Sequence, residues 1–391
     1  MTISSKTGVN RIGGTILAFI LACSVLLLPA CSNSSDASAK DGDKPSAANT
    51  EQAADAKAAS TLESTVSKIE KGNVTLTIKA SQALEAFARG DILSVAFNNQ
   101  TVDMPLVTSY SEIDSGTTGF VAREAKDTCV LVTNMGNFAE TYGVTESTSF
   151  SISLKQAGGY LEDLRMRDLS YTDERSDFSG LSDAEFANFR VVGTTGMGKN
   201  VLYRGATPID PKHKRNTYAD AALREAGVKT ILNLSNTEEE AVAFLGYADT
   251  YYASVSHLAL GMGYDFESAD FREKLASGLR FLANNDGPYY AHCLEGKDRT
   301  GFVVAVLECL MGASYDEMIA DYMTTFTNYY GIKPDDPRYD YNAQHGIVLS
   351  LRRVFGGEDL KGADLKTKAE EYLKGIGLTQ DEVTAIRSKL A

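Results

Sequence analysis

The chain has 391 residues and a formal net charge of −14, from 38 Lys and Arg against 52 Asp and Glu. That balance excludes nucleic acid binding by the body of the protein and makes an anionic membrane a poor electrostatic partner. Five cysteines and four histidines, with no CxxC or paired Cys/His spacing, give no reason to expect a metal or other cofactor.

At the N-terminus, Arg11 precedes an apolar run over residues 12–28, interrupted by Gly13-Gly14 and followed by Pro29-Ala30-Cys31. This reads as a signal peptide over residues 1–30, not a spanning helix. Leu28-Pro29-Ala30-Cys31 resembles a bacterial lipobox, with Cys31 the lipidation site; Ile20-Leu21-Ala22-Cys23 is its competitor. Residues 31–60 are rich in Ser, Ala, Asp, Lys and Asn and read as a solvated tether. Two or more acyl chains on Cys31 give stable anchoring. The expectation is an extracytoplasmic protein, lipid-anchored to the bacterial cell membrane. A secreted protein cut elsewhere is the alternative.

Residues 61–165 read as a small, mainly β domain. Residues 61–72 look like a polar lead-in. Val74 to Lys79 and Ser149 to Leu154 alternate apolar and polar residues. Between them lie strand-like runs at 91–97 and 117–122, with turn chemistry at Asn98-Asn99 and Asp114-Ser115-Gly116. The order GDILSVAFNN, PLVTSYSEIDSG, NFAETYGV resembles the C-terminal β-barrel of the adenosyl hydroxide transferases. A passive spacer is the default role, with partner binding or substrate docking open.

Residues 166–391 alternate strand and helix after a polar connection at 171–183. Strands are expected at 201–203, 230–234 and 288–291. Helices are expected at 217–226, stopping at Gly227, at 268–283 and at 300–311. Ser314 to Glu317 reads as a capping box after a stop at Gly312, and residues 359–391 as amphipathic helices. Such alternation implies an α/β fold, a parallel-containing sheet with helices on both faces and a ligand site at the carboxyl end of a strand.

The strand at 288–291 delivers His292 and Cys293 to that end. Leu294, Glu295, Gly296, Lys297 and Asp298 follow, and their backbone N–H groups can curl into an anion-binding concavity. The helix after them turns its positive end to the same hollow. Arg299, six residues after Cys293, carries a planar fork that can hold two phosphate oxygens. A cysteine beside such a field is favoured as thiolate, and Thr300 can donate its hydroxyl to the sulfur or the loop. His292 is expected to fix loop geometry, not to act as a base.

His-Cys-x-x-Gly-Lys-Asp-Arg-Thr-Gly, residues 292–301, resembles the signature of cysteine-dependent tyrosine phosphatases, in particular a bacterial secreted branch with Lys-Asp at its centre. The resemblance covers residues 186–331, with Leu202 to Ala206 and Val228 to Leu234 as further matches. It implies a tyrosine-phosphatase-like sheet flanked by helices, a phosphocysteine intermediate and no metal. The substrate it implies is phosphotyrosine, with phosphoserine, phosphothreonine or phosphoinositides also accepted by members. The chain lacks Trp-Pro-Asp and any Trp, so the general acid is open between Asp298 and Asp265, the latter in Gly261-Met262-Gly263-Tyr264-Asp265; Asp298 is favoured.

Lys297 reads as a selector of multiply phosphorylated substrates, Arg204 as packing beneath the loop, and Lys212-His213-Lys214-Arg215 as a solvated loop that could also attract an anionic substrate. His213 and His345 read as lying in polar loops, and His257 in an apolar strand where it is satisfied by neighbours. Cys309 reads as a packing residue; a bond to Cys129 would have to cross between domains. The alternatives are an inositol polyphosphate phosphatase on the same scaffold, a catalytically dead phospho-ligand binding module and a rhodanese-like sulfur transferase, whose loop is of another size. The oligomeric state is open.

Overall fold

A computed structural model describes residues 61–357 and 359–391; the expected signal peptide, the tether and Cys31 lie outside the described residues. The N-terminal part is a closed barrel of seven strands: β1 (Leu62–Glu70), β2 (Asn73–Leu76), β3 (Ile92–Phe97), β4 (Gln100–Val107), β5 (Thr118–Arg123), β6 (Thr128–Thr133) and β7 (Ser149–Gln156), in the order β1-β2-β6-β5-β4-β3-β7. Neighbours are antiparallel except β4 and β5, which pair in parallel. Asn98 and Asn99 have φ of 47° and 60° and close the β3–β4 hairpin, since asparagine tolerates the left-handed region that tight hairpins require. The core is aromatic, with Phe97 5.1 Å from Phe150 and 6.0 Å from Phe138.

Residues 61–72, expected as a polar lead-in, include strand β1. Leu62, Val66 and Ile69 pack on the barrel core while Glu63, Thr65, Lys68 and Glu70 face solvent. A bulge between Val66 and Lys68 breaks the alternation that marks a strand in sequence.

The second part is the expected α/β layer. Strands β8 (Arg190–Val191), β9 (Leu202–Gly205), β10 (Thr230–Asn233), β11 (Ser256–Ala259) and β12 (Tyr289–His292) form a sheet in the order β11-β10-β12-β9-β8, parallel except for β8. β12 is central, and its residues alternate between two cores. Tyr289 and Ala291 pack with helices Ala269–Asn284, Asp298–Met311, Leu365–Gly375 and Gln380–Leu390, while Tyr290 packs with Leu223 and Tyr252 on the other face. Helix Ala269–Asn284 buries Phe271, Leu275, Leu279 and Leu282; each such burial is worth roughly 1.5–3 kcal/mol. The capping box at Ser314 and Glu317 is formed. The fold class is as expected from the sequence.

Candidate active site

Cys293 follows β12 directly, is 3% exposed and carries a free thiol. Residues 293–297 make the turn into helix Asp298–Met311, which begins two residues earlier than expected and so takes Arg299 into its first turn. The carbonyls of the turn point away from the hollow, each to its own partner. Leu294 O accepts from Thr207 N–H at 3.0 Å. Glu295 O accepts from Asn188 Nδ2 at 2.9 Å, and Gly296 O from Arg204 Nη2 at 2.8 Å. In a trans peptide the N–H lies opposite the carbonyl, so the N–H groups of Glu295, Gly296 and Lys297 face inward, where the helix N-terminus also points. Gly296 has φ of 77°, and a Cβ there would stand 2.3 Å from Gly205 O, so only glycine fits.

Arg204 is fully buried and packs beneath the loop, its Nη1 donating to Asp321 Oδ2 at 2.5 Å. Asp321 also accepts from Arg190 Nε at 2.9 Å. This buried set fixes the underside of the loop from three separate elements. His292 is fully buried, its Nδ1 donating to Cys293 O at 3.2 Å. Burial pulls its pKa down to about 3, so the ring is neutral and holds the backbone.

Arg299 is aligned by the opposite loop. Its Nη1 donates to Met262 O at 3.0 Å and its Nη2 to Tyr264 Oη at 2.9 Å, with the guanidinium 4.4 Å over the Tyr264 ring. Its Nε is buried without a partner among the described residues. The structure therefore joins the 261–265 loop to the signature loop through one side chain. Asp265 and Asp298 line the same cleft. Asp265 Oδ1 accepts from Glu267 N–H at 3.1 Å, and its carbonyl accepts from Ser268 Oγ at 2.8 Å, which shapes the start of the next helix. Asp298 keeps 46% of its side chain exposed toward the cleft. Desolvation by the surrounding walls nevertheless pushes its carboxyl above the ordinary value, outweighing the opposing pull of Lys297.

Several side chains stand otherwise than expected. Lys297 is engaged: its Nζ donates to Tyr330 Oη at 3.0 Å and lies 3.3 Å from Glu295 Oε2. Tyr330 in turn donates to Glu295 at 2.7 Å. Burial raises the Glu295 carboxyl, but Lys297, the Tyr330 hydroxyl and His213 together hold it below its usual value. Lys297 is thus no spare cation for a second phosphate, because its charge is compensated within the loop. Thr300 Oγ1 is buried and meets neither sulfur nor loop at hydrogen-bond distance. The basic cluster divides. Lys212 and Lys214 are exposed, His213 is buried beside Asp173 at 3.2 Å, and Arg215 is buried 3.6 Å over the Tyr329 ring. His345 lies in the π-helical turn Gln344–Val348, not in a loop, and meets Asp114 at 2.8 Å. His257 is satisfied by Val255 O and Tyr247 Oη. Cys129 and Cys309 are free and buried, and burial pushes both thiols up to about 12. No cluster of metal-ligating side chains occurs among the described residues.

Reading the sequence missed Asn188, Thr207, Tyr264, Asp321 and Tyr330 as parts of the site. Only Tyr264 carried a signal, an aromatic residue among the glycines of the 261–265 loop. The others lie far along the chain and are recruited by folding.

A tyrosine-protein phosphatase of Nostoc commune is 30% identical over 133 residues, 28% of this chain and 42% of that protein, so the chain spans less than half of that relative. Among solved structures, P. aeruginosa TpbA in complex with pTyr is 21% identical, covering 44% of this chain and 86% of that one, with a TM-score of 0.28. The core catalytic domain of the PP-IP phosphatase SIW14 from S. cerevisiae, in complex with citrate, is 18% identical over 43% of this chain and 90% of that one, with a TM-score of 0.27. The model described as "Tyrosine phosphatase family" matches residues 184–391, which include the whole sheet from β8 onward, the Cys293 turn and the C-terminal helices, and the chain belongs to that family.

Proposed function

We propose that the chain hydrolyses phosphomonoesters, phosphotyrosine in proteins first among them, through a phosphocysteine on Cys293. The observation that carries this is the outward pinning of three successive carbonyls, which turns the amides of residues 295–297 into the hollow above Cys293. Those amides and Arg299 neutralise the phosphoryl oxygens as charge moves onto them. The sulfur attacks phosphorus and the ester P–O bond breaks. Asp298 gives its proton to the departing oxygen, and its elevated pKa favours that form. Asp298 then takes a proton from water, which attacks phosphorus, breaks the P–S bond and releases phosphate and the thiolate. Asp265, across the same cleft, is the second candidate for that proton. The test is turnover of an aryl phosphate in the presence of chelator by the parent and by Cys293→Ser. The reading requires activity in the first and none in the second; a silent parent would support a phospho-ligand binding module instead.

An inositol polyphosphate phosphatase on the same scaffold is the second reading. The pairing of Lys297 with Glu295 disfavours it, since several phosphates call for uncompensated cations.

The location is also part of the proposal: Cys31, acylated after removal of residues 1–30, holds the enzyme at the outer face of the cytoplasmic membrane. The lipobox-like Leu28-Pro29-Ala30-Cys31 and the polar stretch after it support this reading. Labelled fatty acid should enter the parent and not Cys31→Ser; equal labelling of both would remove the anchor from Cys31.

A further inference from the structure

The barrel lies outside the part of the chain that matches the phosphatase family, yet it lines one cleft with Tyr264, Lys297 and Asp298, the neighbours of the Cys293 turn. A cleft of about 460 Å³ opens beside Lys297 and Asp298. One wall comes from the catalytic part: Tyr264, Phe266, Phe302, Phe326 and the π-helical turn at His345–Ile347. The facing wall comes from the barrel: Tyr110, Ser111 and Ile113 to Ser115 after β4, and Asn134-Met135 after β6. The two walls are fastened together. Asp114 accepts from Arg167 at 2.6 Å and meets His345 at 2.8 Å; Arg353 bonds both Ser115 and Glu267; and Tyr341 donates to Asp163 at 2.9 Å.

The chemistry of the cleft is specific. Its surface is mainly apolar, and its permanent cations are Arg167, Lys297 and Arg353 against the carboxylates Asp114, Asp265, Glu267 and Asp298. Each cation is already paired: Arg167 with Asp114, Lys297 with Glu295, Arg353 with Glu267. Such a lining offers no unpaired cation to a second phosphate or an acidic side chain, and Asp265 repels both. An uncharged apolar group buries well there. At the rim, Met135 is held at φ of 54° and 39% exposed, a costly conformation that keeps a large apolar side chain facing the cleft mouth.

Resting on the phosphatase reading, we propose that the barrel is the specificity wall of the active site, and that the cleft takes apolar side chains next to the phosphotyrosine of a peptide substrate. Peptides with acidic neighbours, and polyphosphorylated inositols, are refused. The volume suits two or three such side chains, within the range of ordinary ligand pockets.

The test uses the full chain and four probes: p-nitrophenyl phosphate, matched phosphotyrosyl peptides with apolar or with acidic neighbours, an inositol polyphosphate, and vesicles containing a phosphoinositide. Ser111→Glu and Met135→Glu place charge on the barrel wall at partly or fully exposed positions, and Met135→Leu restores apolar character. The parent should favour the apolar-flanked peptide about tenfold in kcat/KM, the Glu variants should lose about that factor, Met135→Leu should keep it, and all should turn over p-nitrophenyl phosphate within about twofold. Equal rates on the two peptides, a ratio indifferent to the Glu variants, or faster turnover of the inositol phosphate or the vesicles would overturn the inference. A parent silent on p-nitrophenyl phosphate would remove the phosphatase reading and this inference with it, whereas an active parent without barrel dependence removes this one alone.

Discussion

The turn at 293–297 and the loop at 261–267 face each other across Arg299 and are held in opposite ways. The first is fixed from beneath by Thr207, Asn188 and Arg204, on segments distant in sequence, and Gly296 leaves it no room to shift. The second is pinned at its start, where Gly261 and Met262 N–H donate to Asn236 O and Leu234 O, and at its end, where Glu267 accepts from Arg353; between them Gly263 and Tyr264 stand in the open, tied to the first by the two Arg299 bonds. One is a preformed cradle, whose worth lies in donors already aimed before charge develops. The tip of the other, at Tyr264, rests on a contact with Arg299 that a substrate can exchange, which suits a segment that must admit and release ligand. Asp298 belongs to the preformed turn and Asp265 follows the open tip of the facing loop, so the question of the general acid is also a question of which region does the proton transfer.

The sharpest break comes from the fixed side. Cys293→Ser should lower kcat on an aryl phosphate at least about ten-thousand-fold with the fold retained, since the steps that follow depend on the bond to sulfur. Circular dichroism beside steady-state rates checks this. Next, Asp298→Asn should cost about a hundredfold on a phenyl phosphate with a poor leaving group and little on one with a good leaving group, while Asp265→Asn should spare both. The elevated pKa of Asp298 extends its protonated form to higher pH than an ordinary carboxyl. The parent's rate on the poor leaving group should therefore fall as pH rises through that pKa, and Asp298→Asn should lack that limb. The reverse pattern between the two variants would transfer the role to the facing loop.

Smaller effects separate the two kinds of support. Asn188→Ala leaves the Glu295 carbonyl without its donor and should lower kcat about tenfold. Tyr264→Phe removes one Arg299 acceptor on the exposed side and should change it about twofold. Equal effects would erase the distinction drawn above. A separate signal is thermodynamic and leaves the rate aside. His292 is neutral and buried with a pKa of about 3, against 6.5 when free. The unfolded chain binds its proton first, so this contribution is complete above pH 6.5 and is lost as pH falls toward about 3. Denaturant midpoints of the parent should drop more steeply over that window than those of His292→Asn.

The fold class was readable wherever local chemistry decides structure. Asn98-Asn99 announced a tight hairpin, Ser314 to Glu317 a helix start, and Phe271, Leu275, Leu279 and Leu282 a buried helical face, because each depends on neighbours within a few residues. The frame from Cys293 to Gly301 was readable for the same reason. What escaped were pairings across distance. Lys297 looked like a free charge because the Tyr330 hydroxyl that bonds both it and Glu295 lies a whole helix away, and Arg215 looked solvated because Tyr329 and Phe186 close over it only in the folded chain. β1 was hidden by a bulge, and the barrel's place beside the site because Asp114 and Ser115, legible as a turn, meet Arg167, His345 and Arg353 only in the folded chain.

The most direct measurement is a rapid acid quench of the Asp298→Asn variant with an aryl phosphate of good leaving group, followed by mass spectrometry of the peptide holding residue 293. With the proton acceptor for the attacking water removed, breakdown should lag formation, and phosphate should be found on Cys293 in chelator-treated protein. Phosphate on another side chain, or turnover that needs a divalent cation and leaves Cys293 unmodified, would contradict the account.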